Sequence, residues 1–171
     1  MNFAKPAALA LALLVSALLL SACGFQLRGT AALPFDTLYM ANTTTGVALD
    51  LKRNIQSGTR TVVVDDPKKA AAVLDFVQEV REKVILSLGA TGRVREYQLR
   101  YRVGFRVHDG KGSEFLPVNT VQLTRDISFN DTDVLAKENE ELQLYRDMQF
   151  DMVQQIMRRL AAAHAATPAV Q

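Results

Sequence analysis

Glu96-Tyr97-Gln98-Leu99-Arg100-Tyr101-Arg102-Val103-Gly104-Phe105-Arg106-Val107 alternates apolar and polar residues almost without a break. Successive side chains of an extended chain point to opposite faces. Tyr97, Leu99, Tyr101, Val103, Phe105 and Val107 therefore share one side, and Glu96, Gln98, Arg100, Arg102 and Arg106 share the other. The stretch predicts a strand with one buried and one wet face. Working outward, turn sequences bracket it: Gly89-Ala90-Thr91-Gly92 before and Asp109-Gly110-Lys111-Gly112 after. Upstream, Leu74, Phe76, Val80, Val84, Leu86 and Leu88 fall on even positions, which predicts a second long strand. Downstream, a third runs from about Phe115 to Phe129, with Val121, Leu123, Ile127 and Phe129 inward. Long strands joined by tight turns pair as an antiparallel meander.

The flanks supply the rest. Thr37 to Ala41 and Arg60 to Val64 read as shorter strands, and Phe25-Gln26-Leu27 alternates like another. Between them a short helix is expected, with Thr44 or Thr45 as N-cap, Gly58 just past its end, and Ala48, Leu51 and Ile55 along its buried edge. Asp66-Pro67 fits the start of a single helical turn. A long C-terminal helix opens after Asp131, Thr132 or Asp133; Leu135, Leu142, Tyr145, Met152, Val153, Ile156 and Leu160 recur along it as one apolar stripe. Arg158 and Arg159 sit in its last turns, where the helix dipole favours cations. Two apolar helix stripes and one apolar sheet face cover one another best as two layers. The predicted fold is α+β: a two-layer sandwich, two helices packed on one face of a mostly antiparallel four-stranded sheet. Its opposite face stays polar and carries Arg100, Arg102 and Arg106.

The N-terminus carries a different message. After Lys5 comes an uncharged apolar run, Ala7 to Leu20. It is short for a membrane span, which needs roughly 20 apolar residues, and suits a secretory leader. It ends in Leu20-Ser21-Ala22-Cys23, a branched apolar residue and two small residues before a cysteine, the pattern of a lipoprotein cleavage site. The alternative is an ordinary leader followed by a chance cysteine. The chain has one cysteine, so no internal disulfide can use the thiol in an exported compartment; acylation of Cys23 would. Gly24 follows, where an aspartate would be the usual inner-membrane retention signal of enteric bacteria, and its absence favours the outer membrane. The expected organisation is a leader at 1–22, a folded domain at 23–164 anchored to a membrane through Cys23, and a frayed tail at 165–171.

The chemistry on offer is thin. His108 and His164 are the two histidines, and their places in the chain argue against a shared metal. There is no glycine-rich phosphate loop, no G-x-S-x-G and no H-E-x-x-H. Asp65-Asp66 and Glu140-Glu141 are paired carboxylates in turn or solvated-helix contexts. We therefore expect no enzyme, no cofactor and no metal. The net charge of +2 gives no case for nucleic acid. The basic groups are more informative. Arg93 and Arg95 follow a glycine turn, Arg100, Arg102 and Arg106 form a row, and Lys137 opens the last helix. Forked guanidinium groups grip phosphates and suit anionic lipid heads. The plainer reading of the row is a solvated sheet face paired with Glu79, Glu96 or neighbours.

Three blocks resemble one family. Cys23-Gly24-Phe25-Gln26-Leu27-Arg28-Gly29, then Glu96-Tyr97-Gln98-Leu99, then Leu135-Ala136-Lys137-Glu138-Asn139-Glu140 are similar, in order and spacing, to blocks of the LptE family of lipopolysaccharide-assembly lipoproteins. The resemblance implies a function without a reaction: an outer-membrane lipoprotein on the periplasmic side. It would plug and help assemble a β-barrel partner of the LptD type and bind lipopolysaccharide on its way to the cell surface. A barrel interior is polar, so a plug needs wet outer faces and its own core. By the same resemblance, Lys137 matches a basic lipid-contact candidate, and the loop before Glu96-Tyr97 is a second basic region. Here that loop reads Gly89-Ala90-Thr91-Gly92, without a charge, and the arginines come later, at Arg93 and Arg95. The lipopolysaccharide-binding candidates are thus Lys137, Arg93, Arg95, Arg100, Arg102 and Arg106. Two other classes stay open: an adaptor lipoprotein of another envelope assembly, and an anchored hydrolase whose site carries no motif.

Overall fold

The computed structural model describes residues 32–130 and 132–163. The expected leader, Cys23, the strand expected at Phe25-Gln26-Leu27, Asp131, His164 and the expected frayed tail lie outside the described residues. The elements run β1 (Thr37–Met40), α1 (Gly46–Gly58), β2 (Val62–Val64), a 3-10 turn (Pro67–Lys69), β3 (Ala72–Leu88), β4 (Val94–His108), β5 (Glu114–Ser128) and α2 (Val134–Ala161).

The α+β class and the two helices agree with the sequence reading, but the sheet has five strands instead of four. Its order is β2-β1-β3-β4-β5. β1 lies parallel to both β2 and β3, while β3-β4-β5 form the expected antiparallel meander. The parallel pairing has a covalent cause. α1 carries the chain back along the sheet between β1 and β2, and strands joined by such a crossover run the same way. The two short strands were legible singly; their joining one sheet was not.

Capping is partly as expected. Asp66 caps the 3-10 turn, its carboxylate accepting from the Lys68 amide at 3.0 Å. Thr45 is the N-cap of α1 but makes no side-chain bond there. Gly58 is the last helical residue, and the Thr59 amide closes the helix on the Ile55 carbonyl.

β4 behaves as its alternation demands: Leu99, Tyr101, Val103, Phe105 and Val107 are buried under the helices. β3 does not. Phe76 pairs with Phe105 and Gln78 with Gly104, so Val77 is an extra residue at a β-bulge. A bulge sets two residues against one and reverses which parity faces the core. Leu74 and Phe76 face the helices; beyond the bulge it is Glu79, Arg81 and Lys83 that share a face with Val103, Tyr101 and Leu99. The expected inward set is therefore split. Val80 and Val84 lie half-buried on the open face, and Leu86 and Leu88 are exposed.

The charges so displaced form the seam with α2. One Arg81 nitrogen donates to the Tyr101 hydroxyl at 3.0 Å and to Gln149 Oε1 at 2.6 Å. Its guanidinium lies 4.5 Å from the Tyr101 ring centroid. Gln149 in turn donates to Asp50 at 2.6 Å, and the Tyr101 hydroxyl donates to Glu79. One relay thus ties α1, α2, β3 and β4. Burial and the Glu79 carboxylate push the Tyr101 hydroxyl well above the usual phenol range, so it stays protonated and keeps its donor role.

α2 buries Tyr145, Met148, Met152, Val153, Ile156 and Leu160. Leu135 and Leu142 follow the same helical spacing but are 76% and 55% exposed, against expectation. At about 1.5 Å per residue the 28-residue helix is about 42 Å long. The 13-residue α1 lines only part of that length, so the first turns of α2 run on without a helical neighbour.

Candidate functional site

The six basic candidates separate into two groups. Arg93 and Arg95 are exposed at the tip of the β3–β4 hairpin. The Phe129 amide donates to the Arg95 carbonyl at 2.7 Å, which brings the end of β5 and the start of α2 to that tip. Lys137, on the first turn of α2, donates to Ser128 Oγ at 3.0 Å and to Glu140 at 2.8 Å. Ser128 pairs with Glu96, the residue after Arg95. The structure thus gathers Arg93, Arg95 and Lys137 at one end of the sheet. Lys137 is less free than the sequence suggests, with its side chain only 21% exposed.

A fourth cation belongs to this end, and the sequence reading missed it. Lys83 lies 4.4 Å from the Tyr97 ring centroid and 5.9 Å from that of Phe129, and binds Glu141 at 2.6 Å. Tyr97 and Phe129 meet edge-to-face. Nothing in β3 itself marks Lys83 as inward, because the bulge that turns it has no residue signature.

Exposed apolar side chains surround these cations. Ile85, Leu86 and Leu88 at the end of β3, and Val134 and Leu135 at the start of α2, all lie in the open. Exposed apolar side chains at the same end as positive charge suit an amphiphile with anionic heads and acyl chains.

The second group is the row on the open face, and most of it is internally paired. Arg106 holds Asp75 with two nitrogens, at 3.0 and 2.9 Å from one carboxylate oxygen. His108 Nε2 lies 3.0 Å from the same oxygen, and its Nδ1 accepts from the Gly110 amide at 3.0 Å. With Nδ1 accepting, Nε2 carries the proton and donates to Asp75. Burial opposes the Asp75 charge, but the Arg106 and His108 hydrogen bonds and the Arg106 charge outweigh it and hold the carboxyl below its usual range. Arg102 pairs with Glu82 at 3.4 Å, and Arg100 donates to Gln98 at 2.9 Å. The plainer sequence reading was right in kind, with other partners. Glu79 faces the helices and Glu96 takes the Ser87 hydroxyl at 2.7 Å, while Asp75 and Glu82 hold the arginines.

A cleft of about 610 Å³ opens where β1 parts from β3, lined among others by Ala41, Asn42, Asp75, Val77, Glu79 and Arg106. Among the described residues no group of His, Cys, Asp or Glu could hold a metal ion, and no helix is long and apolar enough to cross a membrane.

Comparison with known proteins follows the same lines. The family model LptE, described as lipopolysaccharide-assembly, matches residues 35–160. The LPS-assembly lipoprotein LptE of Yersinia enterocolitica is 32% identical over 162 residues, covering 92% of this chain and 75% of that protein. The solution structure of lipoprotein B from Nitrosomonas europaea superposes with a TM-score of 0.70 at 42% identity, over 81% of this chain and 91% of that one. The crystal structure of the rare lipoprotein B from Shewanella oneidensis gives a TM-score of 0.62 at 25% identity, over 74% and 92%.

Proposed function

The chain belongs to the LptE family of lipopolysaccharide-assembly lipoproteins, and from that premise we propose that it plugs and helps assemble an outer-membrane β-barrel of the LptD type and binds lipopolysaccharide at the tip of its sheet. The observation that carries this reading is the meeting of Arg93, Arg95 and Lys137 with exposed Leu88, Val134 and Leu135 at one end of the molecule. Lipopolysaccharide offers both phosphates and acyl chains, and the tip offers a partner for each. Arg102 and Arg106 contribute less in this reading, because their charge is largely offset by Glu82 and Asp75, while Arg100 is held by the neutral Gln98.

The placement of the chain's entry supports the same arrangement. Thr37 and Leu38 enter beside Val62 and Ala72, at the end of the sheet opposite the Gly89–Arg93 turn. β3 separates the two ends by about 50 Å at roughly 3.3 Å per residue. Cys23 lies nine residues before Ala32, a reach of at most about 30 Å. In the proposed arrangement Cys23 is acylated and held in the inner leaflet of the outer membrane on the periplasmic side, and the basic tip projects into the barrel. The internally paired open face is a wet surface of the kind a polar barrel lumen accepts. No step of this function requires the chain to catalyse a reaction or to hold a cofactor.

The test is copurification. The tagged chain would be drawn from detergent-solubilised outer membranes; a large β-barrel protein at equal stoichiometry is expected in the eluate. An eluate without one would overturn the plug reading, and a different envelope protein there would favour the adaptor alternative. Mass spectrometry of the mature protein should find Cys23 carrying a diacylglycerol thioether, and an unmodified thiol would remove the anchor from the proposal.

A further inference from the structure

The sheet has a step in it. β1 pairs with β3 only from Ala72 to Leu74, while β3 runs on to Leu88. Among the described residues no strand covers the β1-side edge of β3 beyond that point. Bulges at Phe76/Gln78 and Ile85/Ser87 bracket a regular run between them, Gln78 to Ile85.

Open strand edges are templates for pairing, and proteins blunt the ones they do not use. The other two edges are blunted. β2 has three residues. β5 carries Pro117, which has no amide to offer, and two of its carbonyls take side-chain donors: Arg159 reaches that of Thr120 at 2.9 Å, and Arg125 that of Thr124 at 3.0 Å. The edge of β3 carries no proline. One carbonyl in its regular run, that of Glu82, takes the Tyr145 hydroxyl at 2.8 Å, and a carbonyl oxygen has a second acceptor position. Its run mixes charged residues already engaged within the fold (Arg81 and Lys83 towards α2, Glu82 with Arg102) with apolar ones: Ile85 is more than half exposed, and Val80 and Val84 stand half-buried on the open face.

We infer that the free edge of β3 from Gln78 to Ile85 is a docking strand for an extended segment of the partner barrel protein, which adds a sixth strand in line with β1. This rests on the barrel reading above. The occupant's chemistry follows from the edge. It is an extended backbone, because alternate amides and carbonyls of the run are what it must satisfy. It is apolar opposite Val80 and Val84 and uncharged on the other face, where Arg81 and Lys83 are already held by Gln149 and Glu141. The cleft where β1 leaves β3, between Asn42 and Val77, receives the end of the segment. A second copy of this chain fits less well. Antiparallel pairing of two β3 edges centred on Arg81 or Glu82 sets like charges face to face, and centring on Val80 leaves only the short span from Gln78 to Glu82 clear of the bulges.

The experiment is residue-resolved hydrogen exchange on the full-length lipoprotein, alone and in the complex copurified with its barrel. In the complex, alternate amides between Gln78 and Ile85 should exchange at least about tenfold more slowly than in the free protein, while the intervening amides, bonded to β4, are protected in both states. Equal exchange in the two states overturns the edge inference and leaves the plug reading standing. Alternate amides already protected in the free protein also overturn it; protection that rises with concentration would assign the edge to a second copy, and protection independent of concentration to another segment of this chain. A preparation that yields no barrel defeats the plug reading and this inference with it.

Discussion

Replacing Arg81 with methionine isolates the seam between β3 and α2. Methionine keeps most of the aliphatic contact and removes the guanidinium. Lost with it are the bonds to the Tyr101 hydroxyl at 3.0 Å and to Gln149 at 2.6 Å, and the stacking on Tyr101 at 4.5 Å. Hydrogen bonds to a charged group are worth about 1.5–3 kcal/mol each when buried. The Arg81 side chain is 42% exposed, so water screens and replaces much of this, and about 1 kcal/mol remains for the pair. The cation over the ring adds about 0.5 kcal/mol. A loss of about 1.5 kcal/mol should lower the melting temperature of a domain this size by about 5 °C. Tyr101→Phe removes the shared hydroxyl while leaving the ring packed, and should cost about 1 kcal/mol. Because the two groups touch, the double variant should lose less than the sum, by about 0.5 kcal/mol or more. Thermal and urea unfolding of the four proteins give the cycle. If Arg81→Met melts with the parent and the two changes add, then the odd-numbered charges of β3 are ordinary surface residues and the seam described above carries no energy.

Three further outcomes are expected. Leu86→Ser and Leu88→Ser should each change stability by less than about 0.5 kcal/mol in urea titration, since both side chains are exposed, whereas Leu74→Ala should cost about 2–5 kcal/mol. Because the folded Asp75 carboxyl lies below its ordinary value of 3.8, its contribution is fully present above about pH 4 and disappears as pH falls through the lower folded value; Asp75→Asn should flatten stability against pH in that acid window, and an unchanged profile would show the carboxylate to be unlinked to folding. Arg93→Glu combined with Lys137→Gln should weaken binding to purified lipopolysaccharide by roughly tenfold or more, at about 1 kcal/mol per basic residue lost, with a small stability cost from the Ser128 and Glu140 bonds; equal binding by the double variant and the parent would remove these two residues from the site.

The legible parts of the sequence were those whose pattern is local. β4 could be read residue by residue because nothing interrupts its alternation, and the buried edge of α1 because Ala48, Leu51 and Ile55 suffice to place a 13-residue helix. β3 misled because one extra residue at Val77 reverses the side chains from Gln78 to Ile85, up to the next bulge, and a bulge is set by how a strand meets its partner, not by its own composition. Leu135 and Leu142 misled for another reason: helical periodicity defines a stripe but not how much of it a neighbour covers. The same limits shaped the site. The arginine row was visible as a row, but its counter-ions depend on register, which a single strand does not carry; Asp75 and Glu82 emerge only when β3 is laid against β4. Lys137 was found through the family resemblance, and Lys83 was hidden by the bulge.

The position of β1 has a consequence for how the chain acquires its shape. Both neighbours of β1 follow it in the sequence, and its long partner begins more than thirty residues later, at Ala72. A polypeptide emerging N-terminus first therefore presents Thr37–Met40 before any surface exists to receive it. The hairpins from β3 to β5, by contrast, close over short turns and can zip as soon as they appear. The natural order of assembly runs against the order of emergence, with the meander as template and the earliest strand among the last to dock. During that interval Leu38 and Met40, both buried in the finished fold, stand uncovered, and a holding chaperone would have most to do there.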